Sequence, residues 1–134
     1  MTYIVRAAHP ADIAAMNLLG DAHGWEVTTE DTTDRLSLHT ADAAYVCEQN
    51  GAITGWIYCA NRTGWGYRAI DRLLVDPNHR GTGMARALVE QVLRDFASEE
   101  VLIAAWDREL HQFYEKLGFH VDSDDNMNRL PARP

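Results

Sequence analysis

Leu73-Leu74-Val75-Asp76-Pro77-Asn78-His79-Arg80-Gly81-Thr82-Gly83-Met84-Ala85-Arg86 reads as a strand, a turn, a glycine-rich loop and a helix start, in that order. Leu73 to Val75 is apolar and strand-like. Asp76-Pro77-Asn78 stops it, because proline cannot extend a ladder and Asp and Asn favour turns. Two glycines and two arginines then stand where an amphipathic helix begins. A helix N-terminus presents unpaired N–H groups and a partial positive charge, and glycines let an anion approach that backbone closely. Local chemistry therefore predicts a phosphate-binding loop.

Outward from this loop, Met84 to Ala97 is the clearest helix. Ala85, Leu88, Val89, Val92, Leu93 and Phe96 follow the spacing of one buried face. Val101 to Trp106 is a continuous apolar run, which predicts a strand buried on both faces. Strand, helix and strand make a right-handed crossover with parallel pairing. Upstream, Ala43 to Glu48 and Ile53 to Ala60 flank Asn50-Gly51, a strong hairpin signal. A third strand spans about Arg68 to Val75, so an antiparallel meander precedes the loop. Tyr3 to Ala7 reads as a strand, with Asp12 as N-cap of a helix from Ile13 to about His23 that Gly24 ends. A shorter helix is expected over Thr33 to Leu38. Downstream, Leu110, Phe113, Tyr114 and Leu117 repeat helical spacing, with Gly118 after the helix. Phe119 to Ser123 is a strand, and Met127 to Leu130 a last short edge strand. One α/β domain over residues 1–134 results: a mixed, mostly antiparallel sheet with helices packed on it.

Bulk properties narrow the function classes. A chain of 134 residues fits one domain with a modest core. The net charge of −8 argues against a nucleic-acid binder, which needs a basic stripe, but leaves room for a small anion at one arginine loop. Cys47 and Cys59 have neither redox-pair nor zinc spacing and read as buried reduced thiols. The longest apolar runs fall short of a membrane span, and the N-terminus lacks a signal-peptide pattern. A soluble cytoplasmic protein is the expectation.

As a dinucleotide fingerprint the loop fails, because Arg86 stands where the third glycine belongs. As a P-loop it fails because no Gly-Lys-Ser/Thr follows. Arg80-Gly81-Thr82-Gly83-Met84-Ala85, followed some thirty residues on by Phe113-Tyr114-Glu115-Lys116-Leu117-Gly118-Phe119, resembles the GNAT superfamily of acyl-CoA-dependent N-acyltransferases. Arg80, Gly83 and Ala85 match its Arg/Gln-x-x-Gly-x-Gly/Ala loop, and the second block matches its helix-to-strand signature without a gap. The element order fits along nearly the whole chain. The resemblance implies a GNAT-type sheet with helices on both faces and splayed central strands.

The resemblance also implies roles. Backbone N–H groups from Gly81, Thr82, Gly83, Met84, Ala85 and Arg86 would cradle the coenzyme A pyrophosphate, with Arg80 and Arg86 adding charge. Leu73, Leu74 and Val75 would offer backbone to the pantetheine arm beside Val101 to Trp106. Tyr114 matches the tyrosine that protonates the departing thiolate, although it also lies on its helix's apolar stripe. Asp71 stands where relatives often carry a glutamate base; pairing with Arg68 or Arg72 is the plainer reading of it. Asp107 and Leu110 replace the family's usual asparagine and alanine, so Asp107 is a weaker candidate for holding the acyl arm and a safer helix cap. His79 and His111 are other ionisable candidates near the implied site, with a surface histidine the plainer reading of each. Trp25, Glu26, Glu30, Asp31, Trp56, Tyr58, Trp65 and Tyr67 offer aromatic and acidic groups for a cationic acceptor, or ordinary core packing.

The implied function is transfer of an acetyl group from acetyl-CoA to a primary amine by direct attack in a ternary complex, without metal. The alternative is a non-catalytic acyl-CoA-binding regulatory module that contacts a protein partner. The acceptor class, small molecule or peptide, stays open, as does monomer or homodimer.

Overall fold

The computed structural model describes residues 2–22, 43–62, 64, 66–79, 81–104, 108–121 and 126–129. The elements are β1 (Ile4–Ala7), α1 (Ile13–Ala22), β2 (Ala43–Gln49), β3 (Ala52–Arg62), β4 (Tyr67–Val75), α2 (Met84–Asp95), β5 (Glu100–Ala104), α3 (Arg108–Glu115), β6 (His120–Val121) and β7 (Asn126–Arg129). The expected helix at Thr33 to Leu38 and the Gly24 stop lie outside the described residues.

The strands form one sheet in the order β1-β2-β3-β4-β5-β7-β6. Every pairing is antiparallel except β4 with β5, which is parallel. The β2–β3 hairpin turns on Asn50 (φ 53°) and Gly51 (φ 80°), the two left-handed positions that a primed turn requires.

Strand periodicity sorts the core into two layers. On one face Tyr45, Cys47, Ile57, Cys59 and Ile70 meet Met84, Leu88, Val89 and Val92 of α2, and Tyr114 and Phe119 from the α3 region. On the other, Val46, Trp56, Tyr58 and Leu74 meet Met16 and Leu19 of α1. Helices therefore cover both faces. Each fully buried aliphatic residue on the α2 stripe contributes roughly 2 kcal/mol of apolar burial, enough to fix the helix face. Cys47 and Cys59 are free and buried, and burial pushes the Cys47 thiol up to about 11. Among the described residues no helix is long and apolar enough to cross a membrane.

Three expectations change, and an open one closes. Asp12 is not the N-cap: it ends a 3-10 turn, Pro10–Asp12, whose cap is His9, because Pro10 is preset for the first helical position. The segment at 127–130 is not an edge strand. β7 sits between β5 and β6, because β5 offers it four register pairs and β6 only two. β5 is not buried throughout: Val101 is buried, but Leu102 and Ile103 are half-buried, as α1 packs over β3 and β4. Of the two readings of Trp56, core packing holds: it is 1% exposed, with its indole N–H donating to the Met16 carbonyl at 3.1 Å.

Candidate functional site

The site begins with an irregularity in β4. Its pairing with β3 runs Tyr58↔Arg72 and then Cys59↔Ile70, so Asp71 is the extra residue of a β-bulge. A bulge flips the side-chain parity and bends the strand. That is why Ile70, Leu73 and Val75 all face the α2 side, while Leu74 faces α1. Pairing with β5 ends at the same point: the last register pair is Ile70↔Ile103. Beyond it, among the described residues, β4 pairs only with β3. Among the described residues, 71–75 thus bond to β3 alone, an edge suited to an added extended chain.

The open half of β4 leads directly into the loop. Pro77–His79 forms a 3-10 turn, and the Thr82 hydroxyl donates to the His79 carbonyl. Gly81 and Gly83 have φ of 80° and 85°, a region that side-chain-bearing residues adopt only at a cost. Gly83 is the N-cap of α2 and provides no side-chain cap. The first intrahelical bond runs from the Ala87 N–H to the Gly83 carbonyl at 3.0 Å. The N–H groups of Met84, Ala85 and Arg86 therefore point out of the helix end. The first turn holds no acidic residue, so the partial positive charge there is not neutralised from within that turn. A side chain built at Gly83 would meet the Tyr3 hydroxyl at 3.6 Å.

A cleft of about 700 Å³ continues from this loop along α2 to the end of α3. It is lined by Arg86, Glu90, Leu93, Arg94, Lys116 and Leu117, three cations against one carboxylate. Arg86 bonds Glu90 at 2.6 Å on the surface. A second cleft, about 610 Å³, lies on the α1 side by the β2–β3 turn, with Arg6, Asp12, Glu48 and Asp76 in its wall. There Arg6 bonds both Asp12 oxygens and Glu48 at 2.8–2.9 Å, so the cation in that wall is taken by the chain's own carboxylates.

Tyr114 lies on α3 at 2% exposure. Phe113 and Phe119 stand edge-on to its ring, with centroids 4.9 and 5.3 Å away. Burial raises the phenol well above its usual range, so the hydroxyl stays protonated at neutral pH and can donate a hydrogen bond.

Leu73, Leu74, Val75, Gly81, Thr82, Gly83, Met84, Ala85 and Arg86 fall on one continuous path from the β4 edge to the α2 start. Side chains divide that path: Leu74 is buried on the α1 face and Met84 in the α2 core, so those two would act through backbone alone. Arg80 and Asp107 lie outside the described residues, as do Trp25, Glu26, Glu30, Asp31 and Trp65; for Asp71 the backbone is described. Arg68, one of the two suggested partners for Asp71, bonds Glu99 at 2.6 Å and stacks on Phe96 at 3.8 Å. The bulge escaped the sequence reading, although apolar residues at 70, 73 and 75 break strand alternation and signal it. His79 is not a simple surface histidine, since its Nδ1 is buried.

The sequence model of the family described as an acetyltransferase (GNAT) domain matches residues 40–121. The chain is 24% identical over 114 residues to the histone acetyltransferase TAP1 of Glycine max, covering 84% of this chain. It spans 40% of the length of that curated relative. Among solved structures it is similar to the ribosomal-protein-S18-alanine N-acetyltransferase of Escherichia coli, with TM-score 0.83, 14% identity and coverage of 99% of this chain and 96% of that one. Ard1 of Thermoplasma volcanium gives 0.81 and 21%, covering 99% and 100%. The PaiA N-acetyltransferase of Thermoplasma acidophilum, solved in complex with coenzyme A, gives 0.76 and 13%, covering 97% and 99%. At these identities the structural likeness is one of fold.

Proposed function

The chain belongs to the GNAT acetyltransferase family, and from that premise we propose that residues 1–134 form one domain that transfers an acetyl group from acetyl-CoA to a primary amine. The observation that carries this reading is the junction of two features: among the described residues β4 pairs with β5 only up to Ile70, and the same strand leads to a helix start capped by glycine with outward N–H groups. An acyl-CoA has the matching parts, a pyrophosphate for the helix start and an amide-rich arm for the open edge.

The residues fit that co-substrate. The N–H groups of residues 81–86 take the pyrophosphate, with Arg86 and Arg80 adding positive charge. The cationic cleft beside Arg94 and Lys116 accommodates the remaining charged end. Bound acetyl-CoA supplies an activated acyl carbon and a thiolate leaving group. The amine nitrogen attacks that carbon in a ternary complex, the C–S bond breaks, and the amine proton passes to a base. Asp71, at the bulge, is the proposed base, directly or through water. Tyr114 donates a hydrogen bond to the developing thiolate. Its raised phenol holds the proton more tightly than a thiol near 8.5 does, so stabilisation and orientation, rather than complete proton transfer, is the role its burial supports. Asp107 is kept as a contact for the arm.

The test is thiol release from acetyl-CoA across a pooled amine library, with mass detection of the acetylated product. Release that depends on an amine and yields a product 42 Da heavier, the mass of an acetyl group replacing hydrogen, is the expected result. Tight CoA binding with no turnover on any amine would instead favour the non-catalytic regulatory module.

A further inference from the structure

His79 is the one side chain among the described residues with a buried polar atom, Nδ1, that has no hydrogen-bond partner. That nitrogen points at Asp76, 3.7 Å from its Oδ2, too far for a hydrogen bond. Asp76 is a fixed point. Its N–H donates to the Thr54 carbonyl at 2.8 Å, its carbonyl accepts the His79 N–H at 2.8 Å, and its Oδ1 accepts the Asn78 N–H at 2.9 Å. The His79 carbonyl in turn accepts the Thr82 hydroxyl. The imidazole therefore faces an anchored carboxylate, and its own backbone is tied to the glycine loop through Thr82.

We propose that His79 is a positioning residue for the anion-binding loop: protonated at Nδ1, it closes onto the Asp76 carboxylate, firms the turn under residues 81–83, and strengthens binding of the CoA pyrophosphate. A neutral ring gains little from this arrangement. With the lone pair at Nδ1 it faces like charge, and with the proton there the distance leaves the bond unmade. A protonated ring gains an ion pair and brings positive charge to the loop. Among the described residues Asp76 is the charged group in ion-pair reach of His79. On α2, Arg86 and Glu90 pair with each other at 2.6 Å, and just ahead of β1 the Tyr3 hydroxyl borders Gly83. The inference rests on the reading of the loop as a CoA site.

The test is calorimetric titration of the full chain with CoA from pH 5.5 to 8, for the wild type, His79→Asn and Asp76→Asn. Asparagine presents an uncharged donor near the Nδ1 position and does not titrate. The phosphates of CoA titrate in the same range, so the quantity read is the ratio of wild-type to variant affinity. The ratio should rise about fivefold from pH 8 to pH 5.5, the upper end for a partly exposed ion pair. By reciprocity, adding CoA should move the ring's own titration, followed by imidazole NMR, to higher pH. A merely structural histidine would move neither readout. Identical pH profiles in all three proteins, or a ring titration that CoA leaves unmoved, overturns the proposal while leaving the loop reading intact. No CoA binding at any pH overturns both.

Discussion

Two helices begin on opposite faces of this sheet, and each meets the charge at its start differently. Before α1, the Asp12 carboxylate accepts the His9 N–H at 2.8 Å and is gripped by Arg6 through both oxygens. Before α2 stands Gly83, with φ 85°, no side-chain cap and no acidic residue in the following turn. A helix start draws negative charge in either case. The chain supplies that charge itself at α1, which serves stability. At α2 it supplies none within the first turn, which leaves the start suited to an anion from outside. The adjoining clefts repeat the contrast, since carboxylates outnumber the cation around Arg6 and cations outnumber the carboxylate around Arg86.

Giving α2 a start of the α1 kind should have the largest effect. Gly83→Asp places a carboxylate over the α2 N–H groups, and CoA affinity should fall at least about a hundredfold. Gly83→Ala keeps the backbone strain without the charge and should lose roughly tenfold. Calorimetric titration, with unfolding midpoints as a control for folding, separates the two. Equal losses would mean that shape, not charge, matters at this position.

Next comes the chemistry beyond the loop. Tyr114→Phe keeps the ring in its aromatic contacts and removes the donor. Turnover should drop roughly a hundredfold while CoA affinity stays within about threefold. If kcat is unchanged, Tyr114 belongs to the core and not to the reaction.

The smallest effect is at α1. Asp12→Asn should destabilise the fold by roughly 1–2 kcal/mol at neutral pH and leave CoA affinity alone. The bond from Arg6 holds the Asp12 carboxyl below its usual range. A lowered folded-state value means that the stabilisation is complete above the ordinary carboxylate range, near pH 4, and is lost as pH falls through the folded value. Denaturant titrations of wild type and variant should therefore differ at pH 7 and converge on strong acidification. A gap that persists in acid would contradict the ion-pair account.

Much of the frame was legible because its signals are local. Asn50-Gly51 dictates its own turn, the spacing from Leu88 to Leu93 dictates one buried face, and Gly81 and Gly83 dictate a loop open to an anion. Features set by distant partners were harder to read. Asn126–Arg129 shows its strand character but not that β5 offers it a longer edge than β6 does. The Asp71 bulge is encoded in the parity of Ile70, Leu73 and Val75, yet it is recognisable only once those side chains are known to share a face. Asp12 has the composition of a cap, and Pro10 moves the cap one turn earlier. Tyr114 shows the deeper limit: a place on the buried stripe of its helix suits a core tyrosine and a buried hydrogen-bond donor equally, so periodicity alone cannot separate packing from chemistry.

The most direct measurement is a map of backbone amide NMR shifts as CoA is added. The account predicts saturable changes concentrated at residues 81–86 and along residues 71–75, with the amides around Arg6, Asp12 and Glu48 unmoved. Changes confined to the α1-side cleft, or the absence of any saturable change, would contradict it.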